Sequence, residues 1–219
     1  MKGIFITFEG PEGSGKTTVI ERLAKKLEDA GYIVRLTREP GGCRISEDIR
    51  SIILDVNNKN MDPVTEALLY AASRRQHVSE VIKPHLDAGH IVICDRFLDS
   101  SLVYQGYARN LGIDNVLEIN KQAINGLFPD LTIFFDIKPN VGLDRIKDNK
   151  RNQNRLDLEK LDFHNRVYEG YIEVLNRFSD RIKAINADLS REEVYYSVEK
   201  IVFDFLEKKN DLWESQKIS

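Results

Sequence analysis

Two cysteines in 219 residues, Cys43 and Cys94, are too few for a disulfide framework and fit a reducing compartment. Long hydrophobic runs are missing as well. No stretch approaches the roughly 18 consecutive apolar residues of a membrane span. The opening Met1-Lys2-Gly3-Ile4-Phe5-Ile6 reaches Glu9 too soon for the apolar core of a secretory signal. Positive charge is not in excess: 32 Lys and Arg against 35 Asp and Glu leave a net −3. That excludes the basic face with which a dedicated DNA or RNA binder neutralises phosphates. Internal repeats, low-complexity tracts and Pro/Gly/Ser linkers are also absent. The expectation is a cytoplasmic globular chain with a single domain over 1–208 and a polar C-terminal tail over 209–219. Its 42% of hydrophobic residues suffices for a sizeable core.

What is present alternates. Gly3–Glu9, Ile33–Thr37, Ile91–Cys94, Leu131–Asp136 and Ile182–Asn186 are short, β-branched or aromatic, and read as buried strands. Between them the spacing is helical. Val19, Leu23 and Leu27 share one face of a helix that Gly31 can cap. Asp62-Pro63 opens a long helix, with Asp62 as cap and Pro63 in the first turn, ending near Gly89. Two further helices are expected over 157–177 and 190–208. This order predicts an α/β fold, a five-stranded parallel sheet flanked by helices on both faces. The polar segment 148–157, which holds Lys150, Arg151, Asn152, Gln153, Asn154 and Arg155, reads by itself as a solvated loop.

Gly10-Pro11-Glu12-Gly13-Ser14-Gly15-Lys16-Thr17, followed by Thr18, fits G-x-x-x-x-G-K-[ST] at every fixed position. The glycines let successive N–H groups turn inward on phosphate oxygens. Lys16 reaches the β/γ-phosphates, the Thr17 hydroxyl faces Mg²⁺, and the helix that follows adds its positive end. A strand precedes the motif and a helix follows, so the chain is expected to bind a nucleoside triphosphate. A GTP switch would need Asn-Lys-x-Asp, but Asn120-Lys121 runs into Gln122-Ala123. A nucleotide-dependent binding module and a kinase for a small acceptor remain as alternatives.

An acceptor pocket would lie beyond the C-terminal ends of the strands. Polar clusters stand there: Arg38-Glu39-Pro40-Gly41-Gly42, Asp95-Arg96 and Asn186-Ala187-Asp188. Asp95 follows an apolar strand, as a metal-holding acid would. Ser100-Ser101 and Tyr104-Gln105 can face one pocket. Tyr70 and Arg74 stand four apart on one helix face, and Arg50 can reach an acceptor phosphate.

With these residues assembled, the chain resembles the thymidylate kinase family over nearly its whole length, to about residue 205. The resemblance rests on Gly10–Thr18, Thr37–Gly42, Tyr70–Arg75, Asp95–Arg109, Ala123–Thr132 and Gln153–Asp157. It implies a three-layer P-loop kinase fold with a mobile lid at about 148–157. The implied reaction is ATP + dTMP → ADP + dTDP with Mg²⁺, a step toward dTTP, in a homodimer without nucleic-acid or membrane partners. By the same resemblance, Lys16 and Thr17 hold ATP and Mg²⁺, and Glu12 approaches the acceptor 3′-hydroxyl. Arg38 and Glu39 form the Arg-Glu-Pro loop, and Arg50 meets the acceptor phosphate. Tyr70 stacks on thymine, where phenylalanine is more usual in the family. Arg74, Ser101 and Gln105 hydrogen-bond the base, Tyr104 polices the sugar, and Asp95 and Arg96 sit between the two sets of phosphates. No basic residue precedes Lys16 in the P-loop, so the transition-state arginine is assigned to the lid, Arg151 first and Arg155 second. Cys43 stands where the family often has threonine. A kinase for another monophosphate or for a deoxynucleoside is the nearest competing expectation.

Overall fold

The computed structural model describes residues 3–148 and 154–217. Its middle layer is a five-stranded, all-parallel sheet in the order β2-β3-β1-β4-β5. In chain order the elements are β1 (Ile4–Glu9), α1 (Lys16–Asp29), β2 (Val34–Arg38), α2 (Arg44–Leu54), α3 (Pro63–His77), α4 (Lys83–Asp87) and β3 (Ile91–Asp95). There follow α5 (Leu98–Ser101), α6 (Ile113–Ile124), β4 (Leu131–Asp136), α7 (Pro139–Asp148), α8 (Leu161–Arg177), β5 (Ile182–Asn186) and α9 (Arg191–Lys217). A π-helical segment, Val78–Ile82, joins α3 to α4, and another, Leu102–Ala108, prolongs α5. Each expected strand is found within a residue or two of its expected bounds, but only β1, β3 and β4 are buried as expected; β2 and β5 are the edge strands and are largely exposed or half-buried. Asp62 caps α3 as expected, accepting from the N–H groups of Val64 and Thr65 at 2.9 and 3.0 Å.

Strand β1 lies at the centre, paired to β3 and β4, and all of its residues are buried. Its period of two sorts the core. Ile4, Ile6 and Phe8 pack with Val19, Leu23 and Leu27 of α1 and Val198 and Val202 of α9. Phe5 faces the opposite layer, with Phe97, Leu102 and Tyr171. Thr7 and Glu9 follow Phe5 on that face, so the central strand carries polar atoms into the layer that holds α3, α5 and α8. Thr7 Oγ1 meets Thr132 Oγ1 at 2.7 Å, and Glu9 meets the start of α5.

Two boundaries differ from the sequence expectation. Helix α8 starts at Leu161, because Asn154 and its neighbours form a turn in which Asn154 Oδ1 accepts from the N–H groups of Leu156 and Asp157 at 2.9 and 3.1 Å. Helix α9 runs on to Lys217 instead of ending at 208. Beyond Leu206 its polar residues still hold the body: Lys209 pairs with Asp130 at 3.1 Å, and Asn210 donates to the Tyr32 hydroxyl at 3.4 Å.

Candidate active site

The C-terminal ends of β1, β2 and β3 open on one cleft of about 410 Å³, whose walls include Glu12 to Thr18, Arg38, Arg50, Tyr70, Arg74, Arg96 and Gln105. The end of β5 does not join it. Asp188 is held instead by Arg145 of α7 at 3.5 Å, so of the expected strand-end clusters this one lies outside the site.

At one end of the cleft the backbone does most of the work. Gly13 and Gly15 have positive φ, 71° and 86°, and Lys16 begins α1 directly after them. This aims free N–H groups and the positive helix end at one spot, a ready anion site. The loop has no slack. A Cβ on Gly13 would lie 2.0 Å from the carbonyl oxygen of Gly142 in α7, and one on Gly142 would lie 2.3 Å from the carbonyl oxygen of Glu12. Lys16 Nζ donates to the carbonyls of Gly10 and Pro11 at 3.0 and 3.1 Å and to Ser14 Oγ at 3.0 Å. Burial first, and the Arg96 charge second, bring its ammonium down to about 8. Asp95 Oδ2 accepts from the Thr17 hydroxyl at 3.3 Å. Its Oδ1 is buried with no hydrogen-bond partner among the described residues.

Arginines occupy the middle. Arg38 and Arg50 both donate to the carbonyl of Pro40, at 2.8 and 2.7 Å, which brings two like charges together. Burial, and then Arg38, push the pKa of Arg50 down, so this pair favours an arriving anion. Arg96 has a φ of 68°, in the left-handed region that costs a non-glycine residue strain. The strain is held by a network. Arg96 Nη2 donates to Glu12 at 2.8 Å, and its Nη1 to the Tyr171 hydroxyl and Ser100 Oγ at 2.9 and 3.2 Å. Both of those hydroxyls donate to Glu9 Oε2, at 3.1 and 2.5 Å, while Glu9 Oε1 accepts the N–H of Phe97 at 2.8 Å. Burial, and then the Asp99 carboxylate, raise the Glu9 carboxyl to about 7. Of the five Arg96 N–H groups, three are used among the described residues. The other two have no acceptor among the described residues and can serve phosphate oxygens.

The far end is built of buried side chains. Arg74 is 1% exposed. Its Nε donates to Glu39 at 2.8 Å, Nη2 to the Phe97 carbonyl at 3.0 Å, and Nη1 to Ser101 Oγ at 3.1 Å and to Asn120 Oδ1. One Nη2–H is left over among the described residues. Glu39 gives its second oxygen to His77 Nδ1 at 3.0 Å, and His77 Nε2 meets Thr37 Oγ1 at 2.6 Å. Gln105 Nε2 donates to Glu66 at 2.8 Å. The Tyr104 hydroxyl is buried without a partner among the described residues, and burial pushes its pKa up.

Most of the residues singled out in the sequence are therefore brought together. Ser101 stands behind Arg74 and does not line the cleft, whereas its neighbour Ser100 does. Arg155 is not brought to the P-loop. Buried at 6% exposure, it donates to the Ile53 carbonyl at 2.9 Å and to Glu66 at 2.5 Å. Arg151 lies outside the described residues. Cys43 makes no capping bond at the start of α2, and its thiol meets Ser46 Oγ at 3.1 Å. The sequence reading missed Glu9, Glu66, Asn120 and Tyr171. Two of these had a signal: Glu9 is an acid inside a run otherwise read as fully buried, and Glu66 precedes Tyr70 and Arg74 at i, i+4 and i+8 on one face. Asn120 and Tyr171 had none.

A phosphate loop at the C-terminal end of the central strand, facing a second polar cavity within the same cleft, defines a P-loop kinase of a small acceptor. The family profile described as thymidylate kinase matches residues 8–198. The thymidylate kinase of Geobacillus sp. (strain WCH70) is 57% identical over 94% of this chain and 99% of its own. That of Bacillus licheniformis is 55% identical over 97% and 100%. The solved thymidylate kinase of Ehrlichia chaffeensis has a TM-score of 0.75 at 32% identity, covering 92% of this chain and 99% of that one. The chain belongs to the thymidylate kinase family.

Proposed function

We propose that the protein transfers the γ-phosphoryl group of ATP to dTMP, giving ADP and dTDP for dTTP synthesis. The observation that carries this is the single cleft, with a P-loop at one end and, at the other, buried side chains that offer one donor on Arg74 unused among the described residues and an amide on Gln105. ATP lies along Gly10–Thr18. The dTMP phosphate sits between Arg38, Arg50 and Arg96, its base against Tyr70, Arg74 and Gln105, and its sugar beside Tyr104 and Glu12. The bond from the γ-phosphorus to its bridging oxygen breaks as a bond to a dTMP phosphate oxygen forms. A monophosphate has its second pKa near 6 and is already a nucleophilic anion at neutral pH, so no base is required. Lys16, Arg96 and a lid arginine, Arg151, contribute position and positive charge.

The orphaned Oδ1 of Asp95 beside the Thr17 hydroxyl is the kind of oxygen set that fits Mg²⁺. When bound with ATP the ion would neutralise charge on the β- and γ-phosphates. Two free thiols, Cys43 and Cys94, suit a reducing interior, and we place the enzyme in the cytoplasm. Self-association follows the family resemblance. The face with Leu68, Ala72 and Arg75 on α3, beside Ile119 on α6, offers an exposed, partly apolar surface for it, to be read by sedimentation equilibrium. The reaction is tested by coupled ADP release over a panel of nucleoside monophosphates. Strong stimulation by dTMP is expected, no stimulation overturns the reading, and preference for another acceptor reassigns the substrate.

A further inference from the structure

Glu66 lies in the first turn of α3, 1% exposed, and its two oxygens accept four N–H groups. Oε1 takes Gln105 Nε2 at 2.8 Å and Arg109 Nε at 3.5 Å. Oε2 takes Arg109 Nη2 at 3.4 Å and Arg155 Nη2 at 2.5 Å. Facing two guanidinium groups, this carboxylate is an acceptor.

An acceptor there decides which way the Gln105 amide lies. A primary amide carries a carbonyl oxygen on one side and an NH₂ on the other, and only the NH₂ can face a carboxylate. The carbonyl is thereby turned away from Glu66. Gln105 lines the cleft, and among the described residues its Oε1 accepts no hydrogen bond. Unrestrained, the same amide would turn over and present a donor instead, so Gln105 by itself does not fix the base.

We infer that Glu66 sets base selectivity: by holding Gln105 Nε2 it commits the cleft to a carbonyl acceptor, and so to a base edge bearing an N–H. Next to it Arg74 keeps one Nη2–H unspent among the described residues. An acceptor beside a donor matches the N3–H and O4 of thymine or uracil. Cytosine offers an unprotonated N3 and an amine in those places and meets a mismatch at both. Glu66 touches no ligand in this scheme. It is a positioning residue, and the inference rests on the dTMP kinase reading above.

The test uses full-length wild type, Glu66→Gln, and the swap Glu66→Gln/Gln105→Glu, assayed with dTMP and dCMP at pH 8, with thermal melts to verify folding. Glu66→Gln can pair with either side of the Gln105 amide. The ratio of kcat/KM for dTMP over dCMP is expected to fall about 10- to 100-fold in that variant. The swap restores the preference, because a carboxylate at 105 presents oxygen whichever way it turns and keeps the negative charge beside Arg109 and Arg155. A ratio unchanged in Glu66→Gln overturns the inference. So does a swap that folds and stays unselective, which would make Glu66 a partner for the arginines alone. If the single variant does not fold, the swap decides by the same criterion. Wild type without dTMP-dependent ADP release would instead overturn the functional reading itself.

Discussion

The two ends of the cleft are built by opposite means. The phosphate end is one contiguous stretch, Gly10–Thr18, in which backbone N–H groups and a helix start supply the contacts. The base end draws side chains from β2, α3, the α5 region and α6, and almost every polar atom there is buried and already paired. A phosphate is a diffuse charge that accepts hydrogen bonds from many directions, so fixed amides suffice. A base is told from its relatives by one donor or acceptor, which counts only where water cannot substitute for it.

The largest expected effect separates the ends by stability. Arg74→Ala leaves Glu39 buried beside His77 without its guanidinium and is expected to cost about 3–5 kcal/mol in urea unfolding, besides abolishing dTMP binding. Lys16→Ala is expected to lower kcat about 10²- to 10³-fold while the melting temperature barely moves. If it unfolds the protein as Arg74→Ala does, the two ends do not differ as described. Lys16 also predicts a pH limb. Its ammonium titrates near 8, so kcat/KM for ATP should fall as pH rises through about 8, and Lys16→Arg should lack that fall.

Glu9 sharpens the contrast, because it supports Arg96 from the buried side through Ser100 and Tyr171. Its folded pKa, about 7, is above the ordinary 4.5, so the folded state binds the extra proton between those values. Its contribution to stability is present below about 4.5 and is lost as pH rises to about 7. Glu9→Gln should lack this loss, visible as a smaller difference between urea midpoints at pH 5 and pH 8. The smallest effect belongs to Tyr104→Phe. The hydroxyl it removes has no partner among the described residues, so stability should change by less than about 1 kcal/mol. The preference for dTMP over its ribonucleotide counterpart should narrow by less than about ten-fold.

Legibility in the sequence follows the same division. The inner strands β1, β3 and β4, buried on both faces, write themselves as short apolar runs, the edge strands β2 and β5 only as short β-branched stretches, and a phosphate loop as spaced glycines, because all of these are local. The sheet and the donor site could be read in this way. Arg38, Arg50, Arg74 and Gln105 were found as candidates from strand ends and helix spacing. Their partners were not: Asn120 is 46 residues from Arg74 and Tyr171 is 75 from Arg96. No periodicity spans such distances. Arg155 shows the converse, since a polar loop composition gives no sign that its guanidinium folds inward onto Ile53 and Glu66. The extension of α9 to Lys217 escaped for a similar reason. Past Leu206 it holds the body through Lys209 and Asn210, and such single pairings leave no pattern along the helix.

Gly13 and Gly142 touch with nothing between them. The phosphate loop is therefore not a portable cassette. Moved into another sheet without a matching glycine in the neighbouring helix, its tip would meet a side chain where only a backbone fits. Within this fold the two positions form a single unit of inheritance: a side chain gained at either one requires the loop and α7 to part.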